Sequence, residues 1–488
     1  DQAMSEISTG SSHPEWILRL QTPLIGAPDG PLKGLRFAVK DNMDVQGLRT
    51  TAGCESFAYL AQTHARVVQR LLDAGASLVG KTNLDQFACG LNGTRSPWGA
   101  VPNALNPRFV SGGSSSGSAV VVATGQVDFA LGTDTAGSGR VPAGLNNIVG
   151  LKPSKGLISA HGVVPAAQSV DCVSIFARTV GLATRVLQVA MGEDPQDPYS
   201  RKLPLQQCVW KSGFRFGIPS PLDFFGDERS RLAFDNAIDR MKSLGGIPVE
   251  VAYSPFAQVA ALLYESALVA ERYEAIQPFF DKHEGAVIEP VRSIIGQGRL
   301  FSAVDLLRAQ RSLKQLQKEA DAVWEEMDLM LVPTAPTHYT LEAMQSDPVA
   351  LNRNLGYYTN FVNLLDYAAL SIPSCLRDDG LPFGVTLIGR AGADWQLAEL
   401  GQRYHHDTGL QLGATDEQLP LPEVLPLPNM PALVQLAVVG AHLSSMPLNY
   451  QLTERGAQLL EVTCTSPDYR LYALSGTIPA KPGLLRVE

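Results

Sequence analysis

The sequence offers little that would support a disulfide framework, a metal site or a membrane span. Its six cysteines, spread over 488 residues, show no Cys-x-x-Cys spacing, so we expect free thiols and a reducing compartment. No apolar run approaches the roughly 18 residues that a membrane-spanning helix needs, and neither metal-ligand spacing nor a phosphate-binding loop is present. We therefore expect no metal, no cofactor and no membrane partner.

Positive charge is also scarce. The formal net charge is −9, which leaves no basic face for nucleic acid. The first stretch, DQAMSEISTGSSHPEW, has neither the basic region nor the apolar region of a secretory signal. We expect a cytoplasmic protein that acts on a small molecule and binds no nucleic acid.

Apolar segments of strand and helix period alternate from about Leu35 to Leu410. The stretches LRFAVK, SLVGK, FALGTD, LMLVPT and FGVTLIG predict strands, and helical stretches separate them. A leucine-rich helix is predicted from Ser302 to Glu326, with Leu306, Leu307, Leu313 and Leu316 on the side that packs against the sheet. This alternation predicts the α/β class with a largely buried sheet. We assign residues 1–415 to one large domain.

A proline-rich segment, LPLPEVLPLPNMP, follows this domain. It carries five prolines from Pro420 to Pro431, and such a segment is extended and semi-rigid. We predict a linker at 416–432 and a separate C-terminal unit at 433–488. Strands are expected there in LVQLAVVGAH and between Gln458 and Ala473.

Two Ser/Gly clusters lie between Ser111 and Arg140. In the second, FALGTD predicts a strand that ends at Asp134, TAGSGR a tight turn, and GRVPAGLNNIVG a helix. Ser138 falls in the turn, where free backbone N–H groups could bind the oxyanion of an attacked carbonyl. This segment is typical of the part of an acyl-transfer site that supplies the nucleophile and the oxyanion hole.

The first cluster, SGGSSSGS, places Ser114, Ser115 and Ser116 among glycines that let backbone approach a substrate. Ser/Gly-rich segments are usually linkers. Apolar segments continue on both sides of this one, so we interpret it as a loop embedded in the core.

A serine nucleophile needs a base, and the histidines do not offer one in a recognisable context. His405 and His406 are typical of a solvated helix end. Lysine is the alternative: Lys40 ends the strand LRFAVK, and Lys81 ends the strand SLVGK. Spacing alone does not choose between these two lysines.

The motifs together resemble the amidase signature family, over roughly Leu35 to Leu410. The family's GGSSSG run matches residues 112–117, its nucleophile motif matches DTAGSGR, and its lysine motif matches the KDN that begins at Lys40. The resemblance implies a large mixed β-sheet core covered by helices on both faces. It implies Ser138 as nucleophile, Ser114 as a bridging serine preceded by a cis peptide, and Lys40 as base, which leaves Lys81 a structural role.

With those roles, the backbone N–H groups of Thr135, Ala136 and Gly137, with that of Ser138, would form the oxyanion hole. Burial must lower the pKa of Lys40, since a free lysine is protonated at neutral pH. Asp134 and Arg140, which flank the turn, are interpreted as scaffold charges.

Within the family, TAGSGRVPAG, FACGLNGTRSPWGAVPN and the C-terminal tail are most similar to the allophanate hydrolases. This implies hydrolysis of allophanate with release of ammonia, in urea degradation. It also implies a substrate site of Gly90, Tyr264 and Arg272, in which the guanidinium holds a carboxylate. The stretch QVAALLYESALVAERYEAI is predicted to be helical, and the eight-residue spacing places Tyr264 and Arg272 on nearly one face, about 12 Å apart along the axis.

The tail resembles the start of the C-terminal domain of allophanate hydrolases, and we expect it to be incomplete. Family members commonly dimerise, so a homodimer is expected. Three alternatives remain open: a glutamine-dependent amidotransferase subunit of the A type, a broad amidase for small amides, and a catalytically silent scaffold protein.

Overall fold

The computed structural model describes residues 6–7, 12–206, 210–425, 436–455, 457, 459, 462–477 and 481–487. The chain divides into two compact units, Asp1–Pro428 and Asn429–Glu488. Cys208, the last part of the predicted linker at 426–432, and residues 433–435 of the predicted C-terminal unit lie outside the described residues. The other five cysteines are free thiols.

Strands and helices alternate through the first unit, as the sequence pattern predicts. The strands are β1 Glu6–Ile7, β2 Trp16–Leu24, β3 Arg36–Lys40, β4 Arg49–Thr50, β5 Tyr59–Leu60, β6 Ser77–Thr82, β7 Phe129–Asp134, β8 Val149–Lys152, β9 Cys172–Ala177, β10 Arg215–Ser220, β11 Ile247–Ala252, β12 Leu329–Pro333, β13 Tyr367–Leu376, β14 Pro382–Arg390, β15 Tyr469–Ala473 and β16 Pro482–Arg486. The α-helices are α1 Arg66–Asp73, α2 Ser116–Ala123, α3 Val141–Leu145, α4 Val180–Ala190, α5 Glu228–Ser243, α6 Ser254–Glu265, α7 Ala270–His283, α8 Val291–Gly296, α9 Ala303–Val323, α10 Leu341–Ser346, α11 Ala350–Leu355, α12 Asp394–Asp407 and α13 Tyr450–Thr453. In the part of the chain that is described, no helix is long and apolar enough to cross a membrane.

One sheet of 12 strands forms the core of the first unit, in the order β1-β2-β6-β3-β7-β9-β8-β13-β14-β12-β10-β11. It is mixed: β3 pairs parallel with β6 and β7, whereas β9 pairs antiparallel with β7 and β8. The predicted α/β class and large mixed sheet with helices are confirmed. All five strands named from the sequence are present, as β3, β6, β7, β12 and β14.

The parallel arrangement of β6, β3 and β7 positions the candidate site. Their carboxyl ends meet at one edge of the sheet, and ligands of such sheets bind beyond the carboxyl ends of the strands. Lys40 ends β3, Asp134 ends β7, and Lys81 is the penultimate residue of β6. The sheet therefore brings both candidate lysines and the Ser138 turn to one edge.

The helix predicted over residues 139–150 is much shorter than expected. It covers only Val141–Leu145, and Val149–Lys152 is a buried strand. That strand is held between β9 and β13 by pairings with residues distant in sequence. Tertiary pairing overrides the helical pattern here.

The predicted leucine-rich helix is α9, with Ser302 and Asp305 in a capping box. Leu313 and Leu316 pack on the core, but Leu307 is 61% exposed. The prediction that it packs with them is wrong.

His405 is a second correction. It lies on the buried side of α12 and is 2% exposed, so it is no solvated helix end. Burial lowers its pKa to about 4, which keeps the ring neutral at physiological pH.

In the second unit the described strands are β15 and β16, which pair antiparallel. Residues 436–439 form no strand and Gly440–His442 form a short 3₁₀ turn, so the strand predicted in LVQLAVVGAH is not found there. Its first residues, 433–435, lie outside the described part of the chain. Among the described residues between Gln458 and Ala473, only Tyr469–Ala473 form a strand.

Candidate active site

Lys40 is fully buried, and its amine contacts neutral hydroxyl groups. The Nζ atom donates to Ser114 Oγ and to Thr133 Oγ1, both at 2.7 Å. Asn42 Nδ2 also donates to Thr133 Oγ1, at 3.2 Å. No carboxylate of a described residue forms an ion pair with this amine. A lysine in such surroundings loses much of the hydration that favours its charged form.

Burial lowers the pKa of Lys40 to about 7, although the more distant charges of Asp85, Asp171 and Asp134 oppose the shift. A substantial fraction of the amine is therefore unprotonated at neutral pH. A neutral amine can accept a proton, which is what a general base requires.

Lys81, the competing lysine, has different surroundings. Its Nζ forms an ion pair of 2.7 Å with Asp41 and donates to the Arg49 carbonyl at 2.8 Å and to Thr50 Oγ1 at 3.0 Å. These three contacts fix the Lys81 side chain against Asp41 and strand β4. The contacts favour Lys40 as the base and a structural role for Lys81.

Ser114 lies just before helix α2, and the Gly113–Ser114 peptide bond is cis. Its hydroxyl accepts the Lys40 hydrogen bond. The next residue, Ser115, bridges to β7: its Oγ donates to the Thr133 carbonyl at 3.1 Å and accepts from the Thr133 N–H at 3.2 Å. The serine cluster is thus fastened to the strand that leads to Ser138.

The turn that carries Ser138 follows β7, and Ser138 is 3% exposed. Gly137 has φ +144°, and a Cβ there would collide with Thr359. The backbone N–H groups of Thr135, Ala136, Gly137 and Ser138 donate to no described residue. They are free to bind an oxyanion.

Ser138 Oγ forms no hydrogen bond with the described part of the chain, and the Ser114 hydroxyl contacts Lys40 alone. The structure therefore brings Lys40 and Ser114 together directly. It does not make a hydrogen bond between the two serines. Apo sites often have catalytic hydrogen bonds that form only with substrate.

Asp134 and Arg140 form a buried ion pair across the turn, with Nε–Oδ2 2.9 Å and Nη2–Oδ1 3.0 Å. Asp134 also accepts the Gly139 N–H at 3.0 Å. Burial alone would raise the pKa of Asp134, but Arg140 holds it below the usual value. The pair orders the turn, as the sequence interpretation expects.

Tyr264 and Arg272 are in direct contact, but they do not share a helix. Tyr264 is near the end of α6 and Arg272 is in α7, and the backbone at Ser266 between them is extended. The Arg272 Nη2 donates to the Tyr264 hydroxyl at 2.7 Å. The predicted separation of about 12 Å along one helix is wrong, because the break folds the two side chains together.

Gly90 lies in the loop that contacts both Arg272 and the serine cluster. Arg272 Nη1 donates to the Ala88 carbonyl at 3.3 Å. A Cβ at Gly90 would lie 2.7 Å from Asp85 Oδ2, and a Cβ at Gly113 would collide with the same oxygen. Gly90 and the peptide before Ser114 therefore both lie close to one carboxylate oxygen.

Sequence reasoning missed Thr133 and Asp171. Thr133 is the second acceptor of the Lys40 amine, and Asp171 accepts a 2.6 Å hydrogen bond from Thr135 Oγ1 and two backbone N–H groups. The sequence could have indicated Thr133, because its hydroxyl lies near the end of a buried strand, five residues before Ser138. Asp171 gave none, since it precedes a strand that is remote in sequence.

Family models cover nearly the whole chain. The amidase model matches residues 18–398, and the model of the allophanate hydrolase C-terminal domain matches residues 434–488.

Two kinds of curated relative match the chain. The urea amidolyase of Saccharomyces cerevisiae is 45% identical over 477 residues, which is 94% of this chain and 26% of that protein. The A-type subunit of the glutamyl-tRNA(Gln) amidotransferase of Natronomonas pharaonis is 34% identical over 406 residues, which is 76% of this chain and 95% of that protein. The chain thus spans about a quarter of the length of the urea amidolyase that it matches.

A solved structure of Kluyveromyces lactis allophanate hydrolase is similar in fold. It has a TM-score of 0.83 and 42% sequence identity, and the match covers 94% of this chain and 77% of that one.

Proposed function

This chain belongs to the amidase signature family, and from that premise we propose that it hydrolyses allophanate, urea-1-carboxylate, with release of ammonia. The observation that carries the chemistry is the buried Lys40 amine between two neutral hydroxyls. The similarity to urea amidolyase and allophanate hydrolase supports the choice of substrate.

In the acylation step, Ser138 Oγ attacks the terminal amide carbonyl of the substrate. Its proton passes to Ser114 Oγ, and the proton of Ser114 passes to the neutral Lys40 amine, 2.7 Å away. The transfer needs Lys40 to be unprotonated, which a pKa of about 7 provides. The Lys40 amine is hydrogen-bonded to Ser114 and Thr133, so Ser114 would relay the proton from Ser138 to Lys40.

The tetrahedral intermediate places negative charge on the former carbonyl oxygen. The free N–H groups of Thr135, Ala136, Gly137 and Ser138 would stabilise it, and one such donor is worth about 3–4 kcal/mol in a serine protease. Collapse of the intermediate breaks the C–N bond. The leaving nitrogen takes the proton back through Ser114, and ammonia departs.

Deacylation repeats these steps with water as the nucleophile. Water gives a proton through Ser114 to Lys40, its oxygen bonds to the acyl carbon, and the bond to Ser138 Oγ breaks as that oxygen is reprotonated. The product is N-carboxycarbamate. No cofactor takes part in the proposed steps.

The substrate carboxylate would be bound by Arg272, with Tyr264 and Gly90 completing this end of the site. The guanidinium is 4% exposed, and its Nε has no hydrogen-bond partner. A planar guanidinium with an unused N–H donor can bind a carboxylate through hydrogen bonds.

A panel of substrates tests the proposal: ammonia release from allophanate, glutamine, malonamate and simple aliphatic amides. We expect allophanate to give the highest kcat/KM. Preference for glutamine, with dependence on a partner and on tRNA, would point to the amidotransferase alternative, whose relatives match at 34% identity. Equal rates on all simple amides would indicate a broad amidase.

We also propose the domain limits 1–415, 416–432 and 433–488, a cytoplasmic location and a homodimer. The division into two units at Pro428 and Asn429 supports a boundary in this region. Size-exclusion chromatography with light scattering tests the homodimer.

A further inference from the structure

Two buried guanidinium groups lie on either side of the 87–90 turn without a carboxylate partner. Arg95 is 3% exposed and Arg272 is 4% exposed. No carboxylate oxygen of a described residue lies within 4.0 Å of either group. Arg140, equally buried, is paired with Asp134 at 2.9 Å. Buried charges are normally paired, but no carboxylate of the described residues contacts either guanidinium directly, and the nearby buried carboxylate of Asp85 lies against Gly90.

Each of the two arginines binds one of two successive carbonyl groups in the turn. Arg272 Nη1 donates to the Ala88 oxygen at 3.3 Å, and Arg95 Nη1 donates to the Cys89 oxygen at 3.0 Å. Arg95 Nη2 also donates to the Pro348 oxygen at 2.7 Å. The Nε atoms of both arginines are buried without a hydrogen-bond partner.

The turn between the two arginines needs such support. Phe87 and Ala88 have φ values of 52° and 55°, in the left-handed region that non-glycine residues rarely adopt. Backbone of this kind persists where the surroundings fix it, and it clusters at functional sites. Arg95 holds this turn through two contacts: its side chain donates to the Cys89 carbonyl, and its backbone N–H donates to Asp85 Oδ1 at 2.9 Å.

Arg95 also adjoins the proposed substrate site. Its Cδ lies 3.0 Å from the position that a Cβ would take at Gly90. Tyr264 offers no negative charge, since burial raises the pKa of its hydroxyl. An anion bound by Arg272 would therefore face two positive charges in a region of low dielectric constant, where attraction is strong.

We propose that Arg95 is a positioning residue that makes this pocket selective for anionic acyl substrates, by holding the 87–90 turn and by adding a second positive charge beside Arg272. The identity of the anion rests on the proposed function. Arg95 acts through the turn and through its charge, and the reacting atoms lie elsewhere.

The test measures binding by calorimetry in a Ser138→Ala background, where no turnover interferes. The probes are malonamate and malonamide, which differ in one carboxylate. Arg95→Met removes the charge and the fork, whereas Arg95→Lys keeps the charge and loses the planar fork. Arg377→Met is the matched control, because Arg377 is buried but paired with Asp227 and Asp379.

We expect Arg95→Met to weaken malonamate binding by about tenfold or more, the scale of a charged hydrogen bond. Malonamide binding should change by less than about threefold, Arg95→Lys should lie between wild type and Arg95→Met, and Arg377→Met should leave the malonamate-to-malonamide ratio unchanged. Equal weakening of both probes by Arg95→Met, or no weakening, overturns the proposal. If Arg95→Met does not fold, Arg95→Gln, which also removes the charge, takes its place, and a wild-type malonamate-to-malonamide ratio in that variant overturns the proposal.

These outcomes are separate from those of the proposed function. Failure of the wild-type protein to release ammonia from allophanate contradicts the assigned reaction but leaves the binding selectivity measurable. A wild-type site that binds malonamide as tightly as malonamate contradicts the role of Arg95 whatever the reaction is.

Discussion

The Arg272 guanidinium is hydrogen-bonded to the Tyr264 hydroxyl at 2.7 Å, and its central carbon lies 5.1 Å from the centre of the tyrosine ring. The two residues belong to different helices. The extended backbone at Ser266 interrupts the helix, so the two side chains meet instead of lying two helical turns apart. The guanidinium is therefore fixed by its ring and hydroxyl contacts, and its Nε has no hydrogen-bond partner among the described residues.

Ser138→Ala should reduce ammonia release by about three orders of magnitude or more, because it removes the proposed nucleophile. The fold should be unchanged, since Ser138 Oγ has no hydrogen bond in the described structure. The measurement is kcat/KM on allophanate, with thermal unfolding as the check on folding.

Ser116→Ala is the matched control for Ser138. It is a buried serine of the neighbouring cluster whose Oγ makes one long hydrogen bond of 3.4 Å, to the Asn83 carbonyl. We expect near wild-type activity. Substantial turnover in Ser138→Ala would contradict the nucleophile.

Lys40 and Lys81 should respond differently to substitution by methionine. Lys40→Met removes the base and should lower kcat nearly as far as Ser138→Ala, with a folded protein. Lys81→Met leaves Asp41 buried without its partner and should lower the unfolding temperature, because an unpaired buried charge is costly. Wild-type turnover in Lys40→Met would contradict Lys40 as the base and would favour Lys81 in that role.

The rate of acylation should rise with pH through about 7. Lys40 is competent only as the neutral amine, so the acidic limb of kcat/KM should follow its pKa, which burial lowers to about 7. Thr133→Val removes a hydroxyl that stabilises the ammonium form, so this limb should move to lower pH. A limb that stays in place in Thr133→Val, or lies near the pKa of free lysine, would count against Lys40 as the titrating group.

Arg272→Ala should weaken the binding of the transition state of anionic substrates by about 1.5–3 kcal/mol, the scale of a charged hydrogen bond. Neutral amides should lose less, because they have no carboxylate to bind. The comparison is kcat/KM for allophanate against a simple aliphatic amide. Equal losses for both would show that Arg272 only supports the loop through Ala88.

A chain ended after Leu425 should remain folded and release ammonia, because all proposed site residues lie before that point. Ending it at Gly413 should lower the unfolding temperature, since it removes the Arg178–Glu417 ion pair of 2.9 Å and the hydrogen bond of 2.7 Å from Gln402 to the Glu423 carbonyl. Thermal unfolding of the two shortened chains tests this. Identical unfolding temperatures would show that these contacts add nothing.

Local patterns in the sequence were enough for five strands of the large sheet and for the serine-rich motifs. FALGTD ends at Asp134 as predicted, because a buried apolar strand bounded by a Ser/Gly turn leaves few alternatives. The same reasoning predicted a longer helix than α3 and placed Leu307 on the buried side of α9, where the structure has it 61% exposed. In those places long-range strand pairing and packing decided the outcome, and neither can be read from a local period.

The sequence by itself determined the α/β class, the serine-rich motifs and the candidate residues, since these depend on composition and short spacing. Spacing left Lys40 and Lys81 open and the family resemblance implied Lys40, but only the tertiary structure shows how the surroundings of the two amines differ. Both end buried strands, and the difference lies in their neighbours: hydroxyls from Ser114 and Thr133 around one amine, the Asp41 carboxylate beside the other. The physical reason is that the pKa of a buried amine depends on desolvation and on nearby charges, which are set by residues distant in sequence.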